Sequence, residues 1–357
     1  MFTQTLTRRA LGSSLVDLLA GPCGIDGYTQ LVSGTWSATQ ARAKVVKVRR
    51  NTPRSVTLTL RPNDVFAGCS NFKAGQHINL TVDIDGRRRT RCYSPANAEG
   101  QQLIELTVGL HDGGLVSTHL YRHAQPGMVV GLDGVGGDFV LPAVRPQRIL
   151  LVSGGSGITP VMSMLRTLEA EGYLRQKGEV AFIHYARTPA EADYRDELAA
   201  IPGVRVLHGF TRSPESGQLQ GYFTAEHLAA AMPSPDAVYV CGPPALVSAV
   251  REHCDHAVSE SFVPPAPTAL AESSGGQLVF AASDVAVTDD GRSLLDQAES
   301  AGLRPTSGCR MGICHTCTCR KTRGTVRNLI TGAVSTADDE DIQICVSIPL
   351  GDVELSL

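Results

Sequence analysis

Apolar and polar positions alternate in short runs over the first third of the chain and in longer, helix-spaced blocks after it. Runs at 43–48, 56–60 and 77–84 are β-rich and are separated by Pro, Gly, Asn and Asp. That pattern predicts an antiparallel barrel or sandwich, ending near GGDFVLP at 136–142. From Arg148 the pattern changes: RILLVSGG reads as a strand entering a glycine turn, ITPVMSMLRTLEAEG as a helix and EVAFIHYA as a strand. PAEADYRDELAAI reads as a further helix, and VRVLHGF, FTAEHLAAAM, AVYVCG and PALVSAVREHC continue the alternation. Alternating strands and helices predict a parallel, doubly wound sheet. PPAPTALAESSGG at 264–276 has no periodicity and reads as a linker. Beyond it, QLVFAASDVAVTDDG suggests a hairpin and SLLDQAESAG a short helix capped by Ser293 and stopped by Gly302. The expected organisation is a helical leader (1–40), a β-barrel domain (41–143), an α/β nucleotide-binding domain (144–263), the linker (264–276) and a small C-terminal domain (277–357).

Composition narrows the function classes. With 357 residues, 42% apolar, 19% charged and a formal net charge of -3, the chain can build two or three ordinary cores and has no overall attraction to nucleic acid. No apolar run reaches the roughly 18 residues of a membrane span, so contact with a membrane is expected only through a membrane-bound partner. The N-terminal TRRALGSSLVDLLAGPC carries a twin arginine, but Asp17 interrupts its apolar stretch, and an amphipathic helix is the expectation. Cytoplasmic location follows, with the ten cysteines free or metal-bound.

Four of those ten fall in GCRMGICHTCTC at 308–319. A disulfide knot, a zinc site and an iron-sulfur cluster are the candidate readings. Zinc favours two C-x2-C-like pairs, and only Cys314 and Cys317 form one. Cys309, Cys314 and Cys317 follow C-x4-C-x2-C, with Cys345 further on, which is the plant-type [2Fe–2S] spacing. Cys319 is left over. The acids at 338–341, just before Cys345, read either as a solvated loop or as a docking edge for a basic partner.

Glycine turns supply the second chemistry. SGGSGITP follows a strand and opens a helix, and CGPP ends a later strand; both fall where open α/β sheets bind ligands. GGSGITP followed by CGPP resembles the nicotinamide domain of the ferredoxin-NADP reductase superfamily. The resemblance implies that Gly154, Gly155, Ser156, Gly157, Ile158, Thr159 and Pro160 bind the nucleotide, and that Cys241, Gly242 and Pro243 lie by the nicotinamide. Glu260 and Phe262 match the acidic-x-aromatic end of that domain, the aromatic near the flavin. Arg187, Thr188 and Tyr194 are placed as in NADPH-using relatives, and a guanidinium suits a phosphate; NADH remains the alternative.

In the barrel half, Arg91, Tyr93 and Ser94 resemble the R-x-Y-S flavin element of the same superfamily. The turn of GLHDGGLVSTHL, with His111, Gly113, Gly114, Leu115, Val116 and Ser117, resembles the one that takes the flavin pyrophosphate, and favours FAD over the FMN of phthalate dioxygenase-type reductases. The arginines at 87–89 read as a solvated strand end or a docking patch. His119 and His123 lack nearby ligand partners in sequence and are not expected to bind metal.

GCRMGICHTC with its downstream segment is similar to the ferredoxin domain of bacterial flavin reductases, closest to those that feed fatty acyl (stearoyl-CoA) desaturases, which implies a β-grasp fold. The implied activity is an NAD(P)H-dependent oxidoreductase. Ser94, Cys241 and Glu260 would assist hydride transfer to FAD, and Cys309, Cys314, Cys317 and Cys345 would hold a [2Fe–2S] cluster that passes single electrons to a partner. A desaturase is the expected partner, a Rieske oxygenase or cytochrome P450 the alternative. A redox sensor is the reading from another class.

Overall fold

A computed structural model describes residues 34–37, 39–66, 72–176, 178–262 and 275–357. The expected leader and linker lie almost wholly outside these residues. The chain divides into two compact units, one up to Ser261 and one from Phe262.

The first unit begins with an antiparallel sheet of β1 (Arg42–Thr52), β2 (Ser55–Pro62), β3 (His77–Ile84), β4 (Arg87–Tyr93), β5 (Ile104–Gly109) and β6 (Val129–Gly136), in the order β4-β3-β6-β1-β2-β5. Just past β4, the Ala96 N–H donates to Glu105 O at 2.8 Å, carrying the chain onto β5 and curling the sheet into a barrel. Val45, Leu58, Leu60, Ile78, Leu80, Leu106 and Val108 fill its interior, and helix α1 (Leu115–His123) adds Val116 and Leu120. Burial of this set is the main stabilising contribution, at roughly 1.5–3 kcal/mol for each large side chain.

The second half of this unit is a parallel sheet of β7 (Arg148–Gly154), β8 (Glu179–Ala186), β9 (Val204–Phe210), β10 (Ala237–Cys241) and β11 (Val258–Glu260), in the order β11-β10-β7-β8-β9. The helices α2 (Ile158–Ala170), α3 (Arg195–Ala200), α4 (Ala225–Ala231) and α5 (Pro244–His253) connect it. The chain winds outward from β7 through β8 and β9, then returns to place β10 on the other side of β7. That reversal is a topological switch point, where such sheets leave a crevice at the carboxyl ends of the strands.

One expected element differs. The helix foreseen over 189–201 is a single 3₁₀ turn at Pro189–Glu191 and the short α3, separated by Tyr194 in the left-handed region at φ 59°. The intervening side chains are claimed by the barrel: the Ser55 hydroxyl donates to Asp193 Oδ1 at 2.6 Å, and the Tyr194 hydroxyl bonds Thr107 Oγ1. Tertiary bonds here outweigh helix propensity.

The second unit contains β12 (Gln277–Phe280), β13 (Val285–Thr288), α6 (Leu294–Ser300), β14 (Thr318–Asn328), β15 (Val334–Ser335), β16 (Glu340–Gln343) and β17 (Ser347–Leu355). Its mixed sheet runs β13-β12-β17-β14-β15, with β16 beside β14 and a parallel central pair β12–β17. Leu294, Leu295 and Ala298 of α6 pack on Leu278, Phe280, Val353 and Leu355. Ser293 caps α6 by accepting the Asp296 N–H at 3.2 Å, and Gly302, at φ 87°, ends the turn after it. The architecture therefore matches the expectation, with a barrel, a doubly wound sheet and a small helix-on-sheet domain in that order.

Candidate functional site

Arg91, Tyr93 and Ser94 lie at the end of β4. Ser94 is 2% exposed, and its Oγ has no hydrogen-bond partner among the described residues. A buried hydroxyl in that state costs free energy unless a ligand completes it. Arg91 is half-buried and donates to Thr90 O at 2.8 Å, and burial pushes the Tyr93 phenol above its usual range. The turn before α1 bends at Gly113 (φ 75°), and the Ser117 hydroxyl donates to Gly114 O at 3.3 Å. A Cβ on Gly114 would stand 2.5 Å from Ser117 Oγ, so the turn closes this tightly only with glycine there. Val116 belongs to the barrel core and Leu115 is exposed, which leaves their backbone N–H groups, at the start of α1, as the atoms suited to a phosphate. At the turn, partial desolvation and then the Arg54 charge hold the His111 imidazole below its usual range.

On the parallel sheet, Gly154 ends β7 and Gly155 turns at φ 54° into α2, with Ile158, Thr159 and Pro160 buried in its first turn. A Cβ on Gly157 would sit 2.3 Å from Cys241 O, and one on Gly154 2.9 Å from Pro243 Cδ. The two glycine motifs are therefore packed backbone against backbone at the switch point. Ser156 closes on the barrel as well, 3.2 Å from where a Cβ on Gly109 would be.

Register across this sheet aligns Glu260, Cys241, Ser153, His184 and His208 on neighbouring strands. In a parallel sheet such residues share one face, so one polar row spans all five strands. His184 is fully buried and its Nδ1 lies 2.8 Å from Ser153 Oγ; burial, then His208, depresses its imidazole to about 3. Cys241 is fully buried, its thiol pushed well up by burial and by Glu260. Glu260 Oε2 is buried without a hydrogen-bond partner among the described residues. Together with Ser94 Oγ, that carboxylate oxygen is an orphaned polar atom of the kind a bound flavin and nicotinamide would complete. Phe262, the other residue expected near the flavin, is half-buried and belongs to the second unit.

Of the residues expected at the nucleotide phosphate, Arg187 and Thr188 follow β8, Arg187 exposed and Thr188 half-buried with its hydroxyl 3.4 Å from Glu191 Oε1. Arg187 lies 3.9 Å from Glu191, an exposed contact worth little. The Arg212 N–H donates to Arg187 O at 2.8 Å, which sets a second exposed arginine beside the first. Arg212 belongs to no motif in the sequence, and its signal there is that β8 and β9 end alike, in HYART and HGFTR. Tyr194 is engaged elsewhere. Its hydroxyl bonds Thr107 and Glu105, and the Arg166 guanidinium lies 5.0 Å from the centre of its ring.

In the second unit the cysteine loop is shaped by left-handed backbone at Arg310, Gly312 and His315. The Cys309 N–H points at Cys314 Sγ (3.2 Å) and the Met311 N–H at Cys309 Sγ (3.3 Å), the donor set that stabilises thiolates. Cys345 arrives from the β16–β17 turn, and its thiol hydrogen-bonds the Cys317 sulfur, which holds Cys317 down to about 7 and pushes Cys345 up. A Cβ on Gly308 would lie 2.8 Å from Cys314 Sγ. Gln343 Nε2 donates to Gly312 O at 2.7 Å, tying the loop to the Cys345 segment, and Arg310 pairs with Glu299 and Asp296 of α6. Four sulfurs, three from a glycine-shaped loop and one from the β16–β17 turn, fit a [2Fe–2S] cluster. Cys319 Sγ faces the Ser356 carbonyl at 3.8 Å instead. The acidic run is partly spent inside the domain, since Asp341 pairs with Arg320 at 2.9 Å and Glu340 bonds Ser335.

Three family models match the chain in order: an oxidoreductase FAD-binding domain over 58–141, an oxidoreductase NAD-binding domain over 151–252 and a 2Fe-2S iron-sulfur cluster binding domain over 281–350. The NADPH oxidoreductase of Mycobacterium tuberculosis is 34% identical over 347 residues, covering 93% of this chain and 88% of that protein. The glycine betaine monooxygenase reductase subunit of Chromohalobacter salexigens is 26% identical over 366 residues, covering 92% and 98%. Among solved structures, phthalate dioxygenase reductase shares the fold with a TM-score of 0.60 at 24% identity, over 88% of this chain and 97% of that one.

The chain belongs to the ferredoxin reductase superfamily, in the branch that adds a 2Fe-2S domain. It is an oxidoreductase that uses NAD(P)H, FAD and a [2Fe–2S] cluster for electron transfer. Among the described residues no helix is long and apolar enough to cross a membrane.

Proposed function

We propose that this protein is the NADPH-dependent reductase component of a multicomponent oxygenase, delivering single electrons to a separate oxygenase protein. The observation that carries the reading is the meeting of Cys309, Cys314 and Cys317 of one loop with Cys345 of the β16–β17 turn, in a compact unit other than the flavin one. The oxygenase partner is supported by likeness to a monooxygenase reductase subunit over nearly the whole chain. The desaturase partner expected from the cysteine loop has no such support, and the oxygenase alternative replaces it.

FAD, when bound, accepts two electrons together from a nicotinamide and releases them singly, matching a two-electron donor to a one-electron cluster. Arg91 and the N–H groups at the start of α1 would hold its phosphates, and Tyr93 would pack on its ring. Ser94 Oγ and Glu260 Oε2 offer hydrogen bonds at the reacting edge, while Cys241 fills the wall that excludes water. Gly154, Gly155 and Gly157 let the nucleotide pyrophosphate approach the start of α2. Arg187 and Arg212 read a 2'-phosphate as charge-assisted donors.

The test is an anaerobic visible-absorbance titration of the purified protein with NADPH and then with NADH. The expected result is bleaching of flavin and iron-sulfur bands together, with uptake of about three electrons, two by FAD and one by the cluster. Bleaching of the flavin alone would remove the cluster from the electron path and the oxygenase reading with it. In the loaded protein, a stoichiometric oxygenase component should accelerate NADPH oxidation.

A further inference from the structure

Given the reductase reading, we propose that Glu260 exchanges a proton beside the flavin seat, with His77 the positioning residue that keeps its carboxyl ready to give and regain it. His77 opens β3 and Glu260 ends β11, so the pair joins barrel to nucleotide sheet. His77 Nδ1 lies 3.7 Å from Glu260 Oε1, with side chains only 5% and 9% exposed.

The slot that holds the imidazole is built. His77 pairs with Gly136 in the β3–β6 ladder. A Cβ on Gly137 would stand 3.0 Å from His77 Nδ1 and 3.8 Å from Glu260 Oε1, and one on Gly136 3.5 Å from His77 Nε2. Any side chain at Gly137 would therefore press into the space shared by the two groups, and its φ of 104° also favours glycine. Gln76 Nε2 fixes the same turn by donating to Gly137 O at 3.2 Å. In GQHINL and GVGGDF the sequence thus supplies the ring, its anchor and the room for it.

Burial raises the proton affinity of Glu260, and the hydrogen-bonding and charge influence of His77 opposes that rise. The other titratable group facing the carboxyl is the Cys241 thiol on β10, itself driven up by burial; Asp138, next to Gly137, is exposed. A buried acid whose rise is opposed this way gives up its proton more readily than one with burial alone.

The chemistry needs such a group. Full reduction of a flavin by a nicotinamide takes one hydride and one further proton, and export of the two electrons one at a time returns two protons. Glu260 gives the further proton from Oε2 as the nicotinamide is oxidised. It regains one proton at the same oxygen as the electrons leave, and the other goes to solvent.

The test follows the Glu260 carboxyl by infrared difference titration of the FAD-loaded protein, its band identified by loss in Glu260→Gln. In His77→Phe the midpoint of proton loss should move up by about one pH unit or more, and in His77→Gln by less, since the amide keeps a donor. The alkaline limb of single-turnover flavin bleaching by NADPH should move the same way by the same amount. His77→Gln carries the test if the phenylalanine variant does not hold FAD. An unmoved midpoint in FAD-loaded variants would overturn the proposal, as would a band that survives Glu260→Gln. The carboxyl titration needs no turnover. A midpoint that moves in a protein bleached by neither nucleotide would therefore overturn the reductase reading and the proton's use, and leave only the pairing.

Discussion

At the scale of single residues, the site combines orphaned buried atoms with charges left in solvent. Arg187 and Arg212 are the exposed charges, and losing one charge-assisted contact to a 2'-phosphate costs about 1.5–3 kcal/mol. Arg187→Ala should therefore raise KM for NADPH roughly ten- to a hundredfold and leave NADH kinetics nearly unchanged; equal effects on both would remove the residue from the phosphate. Cys345→Ser should abolish the iron-sulfur absorbance while flavin bleaching by NADPH persists. Iron retained in that variant would transfer the fourth ligand elsewhere, with Cys319 the next sulfur in sequence. Asp193 titrates in the opposite sense from a paired carboxylate. Burial lifts it to about 6 against the hydrogen bond from Ser55. Its contribution to stability is complete below the unfolded value near 4 and is lost as pH rises through about 6. Asp193→Asn keeps the hydrogen-bonding shape, and should stabilise the protein by roughly 2 kcal/mol at neutral pH and flatten that slope in urea unfolding.

At the scale of elements, the barrel and the nucleotide sheet are joined through a polar latch. Arg166 of α2 reaches Glu105 of β5 at 2.8 Å and Glu197 of α3 at 2.6 Å, and donates to Ala96 O at 2.8 Å. Burial would lower this guanidinium, and the two carboxylates more than reverse it. Arg166→Met would strand partly buried carboxylates, a loss of about 3 kcal/mol, read as a lower urea midpoint. Because α2 begins at the glycine turn, nucleotide KM should rise in the same variant. The pattern of residues 189–201 is helical, yet this latch explains why the segment breaks at Tyr194. The strands of the barrel and parallel sheet were legible in the sequence because they are short apolar runs bounded by turn residues or helices; the break was not, since Thr107, Glu105 and Ser55 lie far away along the chain.

At the scale of the whole molecule, two compact units divide the labour of two-electron and one-electron transfer. Cleaving the chain between residues 262 and 275 should leave an N-terminal fragment that holds FAD and reduces ferricyanide with NADPH but no longer reduces cytochrome c. The C-terminal fragment should keep the iron-sulfur absorbance alone. Loss of FAD from the first fragment would show that the units do not fold separately.

The sequence by itself determined the chemistry that is contiguous: the C-x4-C-x2-C spacing, the glycine turns after β7 and β10, and the order of the three domains. Ligand spacing on one loop and φ > 0 turns are local constraints, and local constraints are written in adjacent residues. Tertiary structure alone decided the rest. It turned Tyr194 into the barrel, set Arg212 beside Arg187, brought the Cys345 thiol to Cys317 and closed the His77 ring against Glu260. Each of these joins residues from separate strands or loops, so the contact exists only once the sheets have formed.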